Sequence, residues 1–112
     1  MTWHPLTSPE QLDAVLAESA TQSVAIFKHS TTCSISATVK ARLDRQWDAA
    51  LGDTVKLYYL DLLRFRPISN QVAARLHVIH ESPQLLLIQG GAVHYHASHL
   101  GIRLAEAKAA VQ

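Results

Sequence analysis

The chain alternates short apolar runs with segments in which apolar residues recur every three or four positions. The apolar runs are rich in β-branched and aromatic residues and predict buried strands at 23–27, 55–63 and 83–89. The recurring pattern predicts helices, and the helix after the first buried strand has the clearest stripe. That stripe consists of Ile35, Val39, Leu43 and Trp47.

The start of the chain predicts an edge strand followed by a capped helix. Residues 3–6 have the composition of a short strand, although Pro5 restricts it to the edge of a sheet. Ser8, Pro9 and Gln11 then form a capping-box signature, with the serine as N-cap, the proline in the first helical position and the glutamine at N3. The apolar residues of this predicted helix are Leu12, Val15 and Leu16.

The remaining segments complete an alternation of strands and helices. A helix is predicted over 67–77, and Gly90-Gly91 is typical of a hairpin turn before a returning strand at 92–96. A last helix is predicted over 98–111, with Gly101 as an early weak point. Because a helix separates the first two buried strands, these strands are expected to be parallel. The order (β)-α-β-α-β-α-β-β-α predicts an α/β fold with a mixed β-sheet and helices on both faces.

Length and composition indicate a single globular domain over residues 1–112. Apolar residues make up 48% of the chain and charged residues 17%, which excludes a disordered protein. The formal charge of +1 and the lack of a basic stripe argue against nucleic acid or an acidic membrane surface as a partner. The start Met1–Pro5 lacks the features of a secretory signal, and no apolar run reaches the roughly 18 residues that cross a bilayer. We therefore expect a cytoplasmic location.

Cys33 is the single cysteine of the chain. One unpaired thiol fits a reducing compartment, and it rules out an intramolecular disulfide and any zinc site that needs several cysteines from one chain. A free cysteine often only fills space in a core, which is the competing interpretation. Here, however, the neighbours Thr32 and Ser34 are polar, and the residue lies where a strand is followed by a helix. This context favours a reactive thiol.

The predicted helix start gives Cys33 a chemical role. Residues 30–32 are Ser-Thr-Thr and offer N-cap hydroxyls, so Cys33 is expected in the first helical turn. Unpaired N–H groups and the positive end of the helix dipole favour an anion there, and thiols in such positions are commonly ionised near neutral pH. Lys28 and His29 would add to this effect if their side chains turned toward the sulfur.

Histidines provide further candidates for chemistry. His94 and His96 share one face of the predicted hairpin strand and His99 follows, a spacing that could hold zinc or copper. Alternating histidines on an exposed strand are more often solvated, and no carboxylate or thiol accompanies these, so we expect no metal site. His80 and Glu81 could form a proton-handling pair near the thiol, or could simply be polar residues at the start of a strand.

Five segments give the chain a resemblance to a known family. They are Phe27–Ser30, Thr32–Ser36, Arg66–Asn70, His80–Gln84 and Ala97–His99. Together with the order of elements they resemble the monothiol bacilliredoxin family, the YtxJ-like redox proteins of the bacillithiol system within the thioredoxin-like superfamily. The resemblance covers nearly the whole chain. The family pattern has proline where this chain has Ser34, and commonly an aromatic residue where it has Leu100.

The resemblance implies a thioredoxin-like fold with Cys33 as the nucleophile. The Ser82–Pro83 bond would be cis and would lie against the Cys33 loop. The residues expected to contact the incoming disulfide are Thr32, Ser34, Ser36, Ser82 and Pro83. The residues expected to tune the thiol are Lys28, His29, His80 and Glu81. Ser36 stands at the position of the second cysteine in a Cys-x-x-Cys motif, so Cys33 could not clear its own mixed disulfide.

The implied activity is thiol–disulfide exchange on mixed disulfides between proteins and bacillithiol or a similar small thiol. No bound cofactor is expected, since the small thiol acts as co-substrate. The partners would be S-thiolated client proteins and a small thiol or reductase for recycling. Two other functions stay open: a stress-related binding module in which Cys33 is buried, and an iron–sulfur carrier in which Cys33 and an external thiol bridge a cluster between two chains. The loop lacks the glycine-containing motif of monothiol glutaredoxins.

Overall fold

A computed structural model describes residues 2–111. Along this part of the chain the elements are β1 (Trp3–Pro5), α1 (Pro9–Glu18), β2 (Ser23–His29), α2 (Ser34–Ala50), β3 (Val55–Asp61), α3 (Arg66–Leu76), β4 (Gln84–Gln89), β5 (Ala92–Ser98) and α4 (Leu104–Ala110). Short 3₁₀ turns at Gly52–Thr54 and His99–Gly101 precede β3 and α4. The order is the one that the hydrophobic pattern predicts. Met1 and Gln112, the ends of the predicted domain, lie outside the described residues.

The five strands form one mixed sheet in the order β1-β3-β2-β4-β5. β2 and β3 are parallel as far as His29, which lies opposite Asp61. β4 runs antiparallel to β2, with Gln84 opposite Lys28, and β5 returns antiparallel beside β4. The predicted mixed sheet and its parallel central pair are therefore confirmed.

Helices cover both faces of the sheet, as predicted. α2 and α4 pack on the face that carries Phe27 and Leu85, which we call the α2/α4 face. α1 and α3 pack on the face that carries Ile26 and Leu86, the α1/α3 face. Because successive residues of a strand point to opposite faces, neighbours on β2 belong to different cores. No helix within residues 2–111 has the length and apolarity needed to cross a membrane.

Two local predictions from turn and cap residues are confirmed. Ser8 is the N-cap of α1, and its Oγ accepts a hydrogen bond from the Gln11 N–H at 3.1 Å. Gln11 Nε2 also donates to the Pro5 carbonyl at 2.6 Å, which ties the helix start to β1. In the β4–β5 hairpin, Gly90 and Gly91 have φ of 58° and 76°, backbone conformations that favour glycine.

The buried stripe of α2 differs from the prediction at its first residue. Ile35 is 43% exposed, so the expectation that it faces the core is wrong. Ser36 is buried instead, and the buried residues that follow it along α2 are spaced by three, four and four positions. Those residues are Val39, Leu43 and Trp47. Ile35 and Ser36 are about 100° apart around a helix of 3.6 residues per turn, so a helix start that buries Ser36 turns Ile35 toward the surface.

The last helix begins at Leu104 and not at Ser98, so its predicted start is wrong. β5 continues through Ser98, and His99 has a φ of 55°, which is incompatible with a right-handed helix. Ile102 and Arg103 are extended, with ψ of 117° and 119°. Pairing of β5 with β4 therefore extends the strand at the expense of the helix.

Candidate active site

Cys33 and Pro83 lie at the same end of the sheet, where β2, β3 and β5 end and β4 begins. We call this the thiol end and define it as residues 29–36, 61–66, 77–84 and 98–101. Cys33 lies in the segment between β2 and α2, and Pro83 directly precedes β4. Because Gln84 pairs with Lys28, Pro83 is placed beside the end of β2 at His29. The topology thus places the two predicted parts of the site at one end of the sheet.

Cys33 is the N-cap of α2 and is half-buried. The prediction that it lies inside the first turn is wrong by one position, because its φ of −104° and ψ of 122° are extended. Its carbonyl accepts from the Ala37 N–H at 3.1 Å, and its own N–H donates to the Ser30 carbonyl at 3.2 Å. An N-cap side chain is placed to accept bonds from first-turn N–H groups, and the described cap has no such side-chain bond. A thiolate at Cys33 would be placed to accept them.

The hydroxyl residues before Cys33 do not cap the helix. The hydroxyls of Ser30 and Thr32 instead form a hydrogen bond with each other, with 3.3 Å between Oγ and Oγ1. Thr32 and Ser34, on either side of the cysteine, are both exposed. Their predicted contact with an incoming disulfide fits this exposure and stays a prediction.

Ser36 is a buried structural residue, which contradicts the expectation that it contacts a substrate. It is 0% exposed. Its Oγ accepts from the Ser30 N–H at 3.1 Å and lies 2.6 Å from His29 Nδ1. Since the Ser30 N–H can only donate, the Ser36 hydroxyl proton is free to donate to His29. The side chain at the position of a resolving cysteine thus joins α2 to the end of β2.

His29 is a neutral ring near neutral pH, because its pKa is lowered from the ordinary value of 6.5. Its Nδ1 lies 2.6 Å from Ser36 Oγ, and which of the two atoms donates depends on which ring nitrogen carries the proton. Burial lowers the pKa of His29 and the nearby Lys40 lowers it further, whereas Asp61 acts in the opposite direction. The expectation that His29 favours a thiolate through a positive charge is therefore wrong, because the ring is uncharged near neutral pH.

Lys28 is fully buried on the α1/α3 face, not on the face that carries α2. Its Nζ donates to the Ser69 carbonyl at 3.1 Å and contacts His80 Nδ1 at 3.2 Å. Burial lowers the pKa of Lys28 to about 8. The condition under which Lys28 would favour the thiolate, a side chain turned toward the sulfur, is not met, since the ammonium contacts α3 and the loop before β4.

His80 is half-buried and is organised by Lys28 and Ser69, not by Glu81. Ser69 Oγ lies 3.3 Å from His80 Nδ1. Glu81 is exposed and makes none of the hydrogen bonds described for His80, which favours the second of the two alternatives, that Glu81 is a polar residue at the start of a strand. Burial lowers the pKa of His80, Lys28 and Arg66 lower it further, and Glu81 opposes them.

The Ser82–Pro83 peptide bond is cis, as the resemblance implies. Pro83 is buried, and its carbonyl accepts from the His99 N–H at 2.9 Å. Ser82 is half-buried, and its Oγ is a buried atom without a partner among residues 2–111. The His99 bond connects the loop before β4 to the 3₁₀ turn after β5. Contact of Ser82 and Pro83 with a substrate stays a prediction.

The hairpin histidines lie on the surface. His94 and His96 are exposed and alternate with half-buried neighbours along β5. His99 is also exposed. Within the described part of the chain, no three His, Cys, Asp or Glu side chains are grouped closely enough to hold a metal ion.

Sequence reasoning missed two features of the thiol end. Ser69 and Gln84 are almost fully buried beside the loop that carries Pro83, and Gln84 Nε2 donates to the Ile79 carbonyl at 3.1 Å. The second feature is a group of large apolar side chains that are 43% to 86% exposed. They are Ile35, Leu63, Ile79 and Leu100, and we call them the apolar rim. Their apolar type is visible in the sequence, but their common location requires the fold.

Comparisons with known proteins agree with this geometry. The family model described as "Monothiol bacilliredoxin BrxC" matches residues 4–107. A solved structure described as a candidate oxidoreductase with a thioredoxin fold is 29% identical, with a TM-score of 0.80 over 98% of this chain and 94% of that one. Thioredoxin from Malassezia sympodialis (Mala s 13) is 18% identical, with a TM-score of 0.76 over 98% and 88%. Thioredoxin from Trypanosoma brucei brucei is 14% identical, with a TM-score of 0.75 over 97% and 87%. The predicted thioredoxin-like fold is confirmed.

Proposed function

The chain belongs to the monothiol bacilliredoxin family of thiol oxidoreductases, and from this premise we propose that it removes bacillithiol, or a similar small thiol, from protein mixed disulfides through Cys33. The observation that carries the proposal is the position of the only cysteine of the chain. It is half-buried at the N-cap of α2, at the same end of the sheet as the cis Ser82–Pro83 bond.

The N-cap position supports a thiolate as the attacking group. The first-turn N–H groups and the positive end of a 17-residue helix stabilise negative charge there. Lys28 and His29 do not add a positive charge beside the sulfur, since the Lys28 side chain lies on the other face of the sheet and the His29 ring is neutral. The proposal therefore relies on the helix start to favour the anion.

The proposed step is a single exchange of sulfur partners. The Cys33 thiolate attacks the sulfur of the small thiol, so that a new S–S bond joins Cys33 to it and the bond between client and small thiol breaks. The client cysteine leaves as a thiolate and takes up a proton from water. The client is reduced and Cys33 is oxidised to a mixed disulfide in the same step.

A second thiol must regenerate the enzyme, because the Ser36 hydroxyl cannot attack a disulfide. Another molecule of small thiol, or the thiol of a partner reductase, attacks the Cys33 adduct. This releases the small thiol as a disulfide and returns Cys33 as a thiolate. The cycle needs a pool of reduced thiol, which a reducing compartment such as the cytoplasm supplies.

The apolar rim supports proteins as the clients. Its four side chains lie in the segments that surround the Cys33 loop and the loop before β4. Exposed apolar surface near a reactive site is typical of surfaces that contact another protein, and all four residues lie at the end of the sheet that carries Cys33. We propose that the client polypeptide packs on these residues while its modified cysteine reaches Cys33.

The test is release of bacillithiol from an S-bacillithiolated model protein in the presence of reduced bacillithiol. We expect turnover with the wild-type protein and none above the uncatalysed exchange with Cys33→Ser, while Thr21→Ala, which changes an exposed residue before β2 at the other end of the sheet, keeps turnover. If Cys33→Ser releases bacillithiol at the wild-type rate, the proposed function is wrong.

A further inference from the structure

Lys28 is a buried cation without a carboxylate partner. It is 0% exposed, and none of the ion pairs described within residues 2–111 includes it. Burying an ammonium group without an opposite charge is costly, and an apolar residue of similar size would be more stable at this position. Because the buried ammonium destabilises the fold and lies at the end of the sheet that carries the site, a functional reason for its presence is indicated.

The contacts of Lys28 fix the state of His80. An ammonium group has only hydrogen-bond donors, so His80 Nδ1, at 3.2 Å from Lys28 Nζ, must be the acceptor. Ser69 Oγ approaches the same ring atom at 3.3 Å. The ring proton is therefore on Nε2, and the ring is neutral. The charged groups around it are Lys28 from β2, Arg66 from α3 and Glu81 from its own loop, with two positive charges against one negative.

The other side of the ring is available to a ligand. His80 is half-buried, and Nε2 has no hydrogen-bond partner among residues 2–111. Two residues farther on, Ser82 Oγ is also without a partner in the described chain, which is an independent sign of an unfilled polar contact in this loop. Both residues precede Pro83 at the thiol end.

We propose that the His80 Nε2–H donates a hydrogen bond to a carboxylate on the small-thiol half of the mixed disulfide, and that Lys28 is the positioning residue that holds this tautomer. The inference rests on the proposed function and extends it to the substrate class. The site would prefer small thiols that carry a carboxylate, such as bacillithiol, over thiols that carry none, such as cysteamine. The excess of positive charge around His80 acts in the same direction.

The kinetic test compares two adducts on the same client protein, one with bacillithiol and one with cysteamine. His80→Asn keeps an acceptor near the Nδ1 position for Lys28 but lacks the outward donor, whereas His80→Gln keeps a donor near the Nε2 position. We expect His80→Asn to raise KM for the bacillithiol adduct about tenfold, the size of a lost hydrogen bond to a charged group, without changing kcat. KM for the cysteamine adduct stays the same, and His80→Gln restores most of the loss.

Two controls separate this role from a merely structural one. His94→Asn makes the same change at an exposed histidine of β5 and should leave both KM values unchanged. In Lys28→Met, His80 is freed from the ammonium and can protonate, so KM for the bacillithiol adduct should fall as the pH is lowered, whereas the wild-type value stays flat near neutral pH. Equal effects of His80→Asn on the two adducts, or identical pH profiles for Lys28→Met and wild type, would overturn the proposal.

A binding measurement keeps the proposal testable even if the proposed function fails. Nitrogen-15 NMR of the histidine rings should show His80 as the Nε2–H tautomer near neutral pH, and titration with reduced bacillithiol should shift its Nε2 resonance, whereas cysteamine should not. A proton on Nδ1, or the same response to both thiols, would contradict it. Failure of the wild-type protein to remove bacillithiol from a client would instead refute the proposed function alone.

Discussion

Replacing Ser36 by alanine tests whether this residue is part of the scaffold or part of the substrate site. The Ser36 hydroxyl is fully buried and makes hydrogen bonds to His29 Nδ1 at 2.6 Å and to the Ser30 N–H at 3.1 Å. Alanine removes both bonds and leaves two polar groups unpaired in residues that are 6% and 9% exposed. Each unpaired group costs about 1–3 kcal/mol. We therefore expect Ser36→Ala to lower the free energy of unfolding by about 2–6 kcal/mol.

Urea denaturation followed by tryptophan fluorescence measures this change. Trp47 is buried in the core that α2 covers, so its emission reports on the packing of that helix. Ser34→Ala is the matched control, because Ser34 is an exposed serine two residues earlier in the same helix. It should change the free energy of unfolding by less than about 0.5 kcal/mol. Equal values for the two variants would refute the conclusion that Ser36 joins α2 to β2.

Three further predictions follow from burial and charge. Burial lowers the pKa of Lys28 from 10.5 to about 8, so the unfolded chain binds more protons than the folded chain between these pH values. The free energy of unfolding of the wild type, measured by urea denaturation, should therefore rise relative to that of Lys28→Met by about 2 kcal/mol from about pH 7 to about pH 9.5. A difference that stays constant over this range would contradict the prediction. Leu43→Ala should lower the free energy of unfolding by about 2–5 kcal/mol and Ile35→Ala by less than about 0.5 kcal/mol. The reverse ranking would show that α2 is rotated about its axis. Burial lowers the pKa values of His29 and His80 from 6.5, so the unfolded chain takes up protons first as the pH falls below that value. The free energy of unfolding should therefore decrease toward about pH 5, and a flat profile would count against two neutral rings in the folded protein.

The fold could be predicted from local signals because most of them agree with the tertiary structure. The apolar run before Cys33 forms a central strand, the Ser8 cap starts α1, and Gly90-Gly91 forms the hairpin turn. Each of these features depends on a few neighbouring residues. The start of the last helix could not be predicted, since it is set by the pairing of β5 with β4, a contact that no local pattern records.

The site could be predicted only in part for the same reason. Cys33 and Pro83 were identified by residue type and by the elements beside them, and the order of strands brings them to one end of the sheet. The polar network could not be predicted, because its partners come from different elements. Lys28 and His80 are 52 positions apart, and Lys28 and Ser69 are 41 apart. A sequence shows a basic residue near a thiol, but not the face on which its ammonium lies.

The exchange of roles between Ile35 and Ser36 shows how a polar residue can replace an apolar one in a buried row. A hydrophobicity pattern assigns the core to Ile35, the apolar side chain. The structure buries Ser36, because His29 Nδ1 at the end of β2 and the N–H of the next residue, Ser30, both form hydrogen bonds with its hydroxyl. A buried hydroxyl is acceptable when both of its bonds are made. Those partners lie six and seven residues earlier and become neighbours only once α2 packs on the sheet.

The most direct test of the central claim is the intact mass of the protein after mixing with one equivalent of an S-bacillithiolated client, without added reductant. Attack on the small-thiol sulfur predicts that the mass of one bacillithiol moves from the client to this chain. Peptide mapping should then place it on Cys33, and Cys33→Ser should acquire none. A covalent complex of the two proteins as the sole product, or an unmodified Cys33 beside an intact client adduct, would contradict the account.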